Sequence, residues 1–127
     1  MRYLLDTCTL LWWFDRAGLS PRAQQEIVAP ENDIYVSVAS AWEIAIKYSM
    51  GRLDSRYEPE TLIAAVLEET PTKGLEAKFP HVLAIGALPF HHKDPFDRLL
   101  IAQAQVEKLT IVTPDPLFQP YGVALLW

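Results

Sequence analysis

DPFDRLLIAQAQ, residues 94–105, opens as a helix and keeps an apolar face along its length. Asp94 before Pro95 forms an N-cap with proline at the first helical position, where the missing N–H costs nothing. Phe96, Leu99, Leu100, Ala102 and Gln103 recur at near-helical spacing and mark an inward face. Asp97 sits in the first turn beside that face, where neither cap nor packing asks for a second carboxylate.

Downstream of this helix, Leu109–Thr113 (LTIVT) is a strand and Asp115 lies in a turn between Pro114 and Pro116. Val123–Trp127 forms a last short strand. Upstream, Arg2–Leu5 is a strand ending at Asp6 and Thr7, followed by the apolar helical run Thr9–Phe14 that Gly18 closes. Ser20 and Pro21 start a second helix with Ala23, Ile27 and Val28 on its inner side. Pro30–Asp33 is a turn and Ile34–Val38 a β-branched strand. Ser37 or Ser40 then caps a helix carrying Trp42, Glu43, Ile46 and Tyr48 up to Gly51. Pro59–Glu69 is a helix, Leu75–Ala77 a short strand and His81–Gly86 a helix, with His91 and His92 in a loop. Strands alternating with helices predict a three-layer α/β/α sandwich with a mostly parallel central sheet, one domain over residues 1–127.

The chain has 127 residues, half of them apolar, enough to bury a core without staples. The single Cys8 excludes an internal disulfide and fits a reducing compartment. No apolar run approaches the roughly 20 residues of a membrane span, and the N-terminus has no signal-peptide pattern. A cytoplasmic protein is expected. Sixteen acidic against eleven basic residues give a net charge of −5. That balance excludes a simple basic nucleic-acid sleeve, but not an enzyme on nucleic acid, because a cation held by carboxylates reverses the local sign.

In open parallel sheets, sites form beyond the carboxyl ends of the strands. Asp6 follows the first strand, and Asp115 lies two residues past LTIVT. Asp97 begins the helix that runs back from that edge, and Glu43 sits in the second turn of the helix after IYVSV. All four can meet there. Two carboxylates about 5 Å apart repel by roughly 3 kcal/mol at an effective dielectric of about 20, so a cluster calls for protons or a cation. An all-oxygen set without thiolates suits Mg²⁺, with Mn²⁺ as the alternative. Such ions support phosphodiester hydrolysis.

Each acid also has a local reading. Asp6 can cap the next helix, and Glu43 can pair with Lys47 at i+4. Asp97 can favour the helix N-terminus, and Asp115 can hold a turn. Adjacent His91 and His92 on an extended loop point apart and do not share an ion. Cys8 reads as a small buried thiol. Trp12, Trp13 and Phe14 read as core or interface packing.

LLDTCTLLWW, SVASAWEIAIKYSMGRL, LPFHHKDPFDRLLIAQA and TIVTPDPLFQPYGVALLW resemble, in order, the successive blocks of the PIN-domain family, and within it the VapC-type toxins of type II toxin–antitoxin systems. The resemblance implies a metal-dependent endoribonuclease whose acidic residues are Asp6, Glu43, Asp97 and Asp115, with Thr7 and Thr113 in support. It also implies an RNA substrate, a homodimer, and a cognate antitoxin whose C-terminal segment wraps the toxin; the apolar patch Leu10–Phe14 fits a partner-covered surface. Arg98, Lys93 and Lys47 are the basic residues placed to hold an RNA backbone. A phosphoacceptor-like signalling module would need a lysine after the last strand, and none follows LTIVT or VALLW. A non-catalytic binding module leaves the four acids without a role.

Overall fold

Alternation in the first strand divides the molecule: Tyr3 and Leu5 face one apolar core, Leu4 the other. The computed structural model describes residues 1–127. Its strands are β1 (Arg2–Leu5), β2 (Asp33–Ser37), β3 (Lys73–Leu75), β4 (Thr110–Val112) and β5 (Leu125–Leu126). They form one sheet in the order β3-β2-β1-β4-β5, every neighbouring pair parallel. The principal helices are α1 (Thr7–Asp15), α2 (Pro21–Val28), α3 (Val38–Ser49), α4 (Pro59–Glu69), α5 (Phe79–Ala84) and α6 (Pro95–Glu107). A 3₁₀ segment, Pro116–Tyr121, joins β4 to β5.

Leu10 of α1, Ala23 and Ile27 of α2, Ile44 of α3, and Leu62 and Val66 of α4 cover the Tyr3/Leu5 face. Residues of α6, with Leu88, Phe118 and Tyr121, cover the other. This is the expected three-layer α/β/α sandwich. Full burial of a Leu or Ile side chain is worth about 1.5–3 kcal/mol, and Leu4, Leu5, Leu10, Leu100 and Ile101 are all completely buried.

Register aligns the carboxyl ends. Leu5 pairs with Val36 on one side and Val112 on the other, so Asp6, Ser37 and Thr113 leave the sheet side by side. β2 and β4 lie on opposite flanks of β1, which makes the crevice between β1 and β4 the point where the winding reverses.

Several local expectations are corrected. Val28 is not inward: it ends α2 and is 58% exposed, because Ala23 and Ile27 alone meet the sheet. The short strand is Lys73–Leu75 rather than Leu75–Ala77. The following helix starts at Phe79 and ends at Ala84, because the His81 ring accepts the Lys78 N–H and closes the first turn earlier than the apolar pattern suggests. Helix α6 is buried all round from Arg98 to Ala104, not along one stripe. Ser37, not Ser40, caps α3, accepting the Ala39 N–H. Helix α1 stops before Gly18, with Arg16 in the left-handed region.

Candidate functional site

Asp6, Glu43, Asp97 and Asp115 line one cavity of about 210 Å³ with Thr7, Cys8, Trp12, Lys47, Asp94 and Pro114. The four acids expected from the sequence are thus brought together, each from a different element. Three keep their local roles as well. Asp6 caps α1 through the Thr9 N–H at 2.8 Å; Glu43 pairs with Lys47; Asp115 accepts the Leu117 N–H at 2.9 Å. The local and joint roles coexist, since a carboxylate oxygen that accepts one hydrogen bond keeps a second lone pair.

Two threonines hold the acids from behind. The Thr113 hydroxyl donates to Asp6 Oδ2 and itself accepts the Asp115 N–H at 3.0 Å. The Thr7 hydroxyl donates to Glu43 Oε1 at 2.8 Å and lies 3.1 Å from the Ser40 hydroxyl. Thr9 adds a bond to the Val112 carbonyl at 2.8 Å, fastening the start of α1 to β4 across the crevice. Asp6 and Glu43 are buried, with 4% and 5% exposure, so their orientations are fixed by these partners.

Asp94, not Asp97, caps α6: Asp94 Oδ1 accepts the Asp97 N–H at 2.9 Å, as the DP start predicts. Burial, then the charges of Asp94 and Glu43, push the Asp97 carboxyl up to about 7, against the lowering pull of His92. Burial also raises Asp6, against the bonds from Thr113 and Thr9. The pocket therefore disfavours a full set of negative charges and gains from a cation.

His92 was not foreseen as part of the site. Its Nε2 lies 2.8 Å from Asp97 Oδ2, and one ligand atom each from His92, Asp97 and Asp115 falls within 4.8 Å of the others. His91 points away, exposed, with its ring against Tyr121, so the two histidines do diverge. Nothing in the sequence distinguishes them, since the choice rests on how residues 85–92 fold over α6.

Arg98 is not available to RNA. It is buried, and its guanidinium donates to the carbonyls of Pro89 (2.8 Å), Leu88 (3.3 Å), Ile85 (3.4 Å) and His92 (3.4 Å), and to the Tyr121 hydroxyl (3.3 Å). Between α5 and α6 the chain makes only one short 3₁₀ turn, Ile85–Ala87, so the carbonyls of this stretch need a donor from outside it, and Arg98 is that donor. Lys47 is half-buried against Glu43, whereas Lys93 is exposed. Cys8 is exposed rather than buried, because α1 turns Thr7 inward and Cys8 toward solvent. Partial desolvation, then the charges of Asp6, Glu43 and Asp97, push its thiol up to about 11. Leu10 belongs to the core, and Leu11, Trp12, Trp13 and Phe14 are only partly covered.

Fold and site together define a parallel α/β/α domain with an acidic pocket at its switch point. Residues 3–122 match the PIN domain, and the chain belongs to the PIN-domain family. No curated protein matches the sequence. Among solved structures, the fold is similar to that of VapBC2 from Rickettsia felis bound to a DNA fragment from their promoter, at 18% identity and TM-score 0.75, covering 99% of this chain and 98% of that one. It is similar to DNA-bound VapBC from Salmonella typhimurium, at 15% identity and TM-score 0.72, covering 99% and 97%. It is also similar to VapBC-5 of Mycobacterium tuberculosis, a member of the VapBC family of toxin–antitoxin systems, at 14% identity and TM-score 0.61, covering 98% and 95%.

Proposed function

We propose that this chain, one domain over residues 1–127, is a divalent-metal-dependent endoribonuclease and the toxin half of a toxin–antitoxin pair. The observation that carries this reading is the convergence of Asp6, Glu43, Asp97 and Asp115 on one cavity at the carboxyl edge of the sheet. Four hard oxygen donors suit Mg²⁺, or Mn²⁺, better than zinc. The raised Asp97 and Asp6 carboxyls fit the same conclusion, because a cation relieves the repulsion that burial magnifies.

When held there, such an ion supplies an activated water and offsets the charge that develops on a phosphodiester. The chain supplies the frame. Thr113 and Thr9 fix Asp6, Thr7 fixes Glu43, and Asp94 fixes the turn that presents Asp97. Exposed Lys93, next in sequence to His92 and Asp94, is the candidate to meet a backbone phosphate of the RNA. Lys47 neutralises Glu43, which lowers the repulsion an RNA phosphate meets.

An antitoxin partner is proposed because similar folds occur in VapBC toxin–antitoxin systems, and because α1 and α4 leave a groove lined by Trp13, Phe14, Arg16, Ala65 and Val66. A homodimer is proposed too, since Phe79, Leu83 and Phe90 expose large apolar side chains. A cytoplasmic location is proposed, where cellular RNA would be met; separately, no helix is long and apolar enough to cross a membrane.

The test is to incubate cellular RNA with the purified protein and sequence the new 5′ and 3′ ends. With Mg²⁺, the wild type generates ends that Asp6→Asn does not. Identical ends in excess EDTA, or from Asp6→Asn, would sink the reading.

A further inference from the structure

His92 is the one half-buried ring that meets an acid of the pocket, and both of its nitrogens are spoken for. Nε2 lies 2.8 Å from Asp97 Oδ2, and Nδ1 is the acceptor for the Asp94 N–H at 3.3 Å. A backbone N–H can only donate, so Nδ1 carries the lone pair and Nε2 the hydrogen. The Nε2–H is then a donor to Asp97, and no lone pair is left to coordinate a metal. Although His92 lies near enough to Asp97 and Asp115 to complete a three-ligand set, its hydrogen bonding assigns it elsewhere.

We propose that His92 is a positioning residue for Asp97: its Nε2–H fixes Oδ2 and leaves Oδ1 to face the cation, an inference that rests on Asp97 being a ligand. Its backbone is held independently of its ring. The His92 N–H donates to the Tyr121 hydroxyl at 2.7 Å, and its carbonyl accepts from Arg98 at 3.4 Å. Tyr121 and Arg98 also share the Pro89 carbonyl, at 2.9 and 2.8 Å. The Phe118 ring stands edge-on to the imidazole at 5.8 Å. A buried arginine on α6 and a tyrosine beyond β4 thereby set where the ring stands, and the Asp94 N–H sets its tautomer. The same Asp94 caps the helix that presents Asp97. One aspartate thus orients both members of the pair, by its side chain and by its main chain. Ligands supported in this way lose about 10–100-fold in metal affinity when the supporting partner is removed.

Two substitutions separate position from bulk. Glutamine places an amide N–H₂ where Nε2 stood, whereas asparagine places its amide where Nδ1 stood and cannot reach Asp97. His92→Gln and His92→Asn, both keeping the Tyr121 and Arg98 contacts to the main chain, are compared with wild type by calorimetric titration with Mn²⁺ alone. Urea melts check the fold, and ¹⁵N NMR of the imidazole reads the tautomer. The expected result is Nε2–H in the wild type, Mn²⁺ affinity within about threefold for His92→Gln, and a loss of about 10–100-fold for His92→Asn. RNA cleavage by His92→Asn falls in kcat with KM nearly unchanged. Nδ1–H in the wild type, or equal Mn²⁺ affinity for His92→Asn and wild type, overturns the proposal. So does an equal loss in both variants. A wild type that binds no Mn²⁺ overturns the metal reading and this inference with it, whereas the other outcomes leave that reading standing.

Discussion

The Thr113 hydroxyl donates to Asp6 Oδ2 across the crevice between β1 and β4, joining the ends of the two paired strands at which the winding of the sheet reverses. Thr113→Val removes the donor but keeps the shape. Stability should fall by about 1–3 kcal/mol, as a buried acceptor is left short of a partner, and Mn²⁺ affinity by about 10–100-fold. Thr113→Ser should recover most of both. Urea denaturation and calorimetry check the two effects separately; a valine variant unchanged in both contradicts the role assigned to the hydroxyl.

Arg98 and Lys93 should behave oppositely. Arg98→Ala strips donors from the carbonyls of Ile85, Leu88, Pro89 and His92, and should destabilise the fold by about 3 kcal/mol or more. Lys93→Ala, at an exposed position, should leave the melt unchanged to within about 0.5 kcal/mol and raise KM for RNA. An Arg98 variant of full stability and weakened RNA binding would reverse these assignments.

The acidic edge was legible because it depends on register alone: strand ends, a cap and a helix start are local signals. Those signals are enough to bring Asp6, Glu43, Asp97 and Asp115 to one edge, and the four line one cavity there. Arg98 was misread because arginine is seldom buried, and its partners come from residues 85–92, which carry no periodicity. Cys8 was misread because the first turn of α1 decides which of Thr7 and Cys8 faces inward, and an apolar run does not fix that angle. His92 was invisible for a similar reason, since only the folded loop separates it from His91. The region before α5 shifted because a histidine ring, not a Ser or Asp, closes its first turn.

Gly18 has φ +95°, and a Cβ there would stand 2.9 Å from Trp12 Cδ1 and Cγ. Trp12 lines the acidic cavity and packs on Trp127 with ring centroids 5.4 Å apart. Gly18→Ala should therefore cost about 1–3 kcal/mol through overpacking and the unfavourable backbone region. Tryptophan fluorescence during a urea melt would report both the loss and the displaced indole. An unshifted midpoint would show that the loop yields freely.

Asp97, raised by burial to about 7 from an ordinary 3.8, holds its proton more tightly folded than unfolded. From about pH 4 to about pH 7, its contribution to stability should therefore decline as pH rises. The component is obtained by subtracting the profile of Asp97→Asn, which lacks the group. Because protons and cations compete for the carboxylate, Mn²⁺ should raise the melting temperature more at about pH 8 than at about pH 5.5. A wild type that gains stability over the variant through that window would have the sign reversed.

Anomalous diffraction from crystals soaked in Mn²⁺ tests the central claim most directly, since it locates the ion without reference to activity. The expected result is a peak inside the pocket, bonded to Asp97 and to at least one of Asp6, Glu43 and Asp115 at about 2.0–2.2 Å, with no bond to His92. A pocket without Mn²⁺ at concentrations that support RNA cleavage, or a peak elsewhere on the molecule, would contradict it.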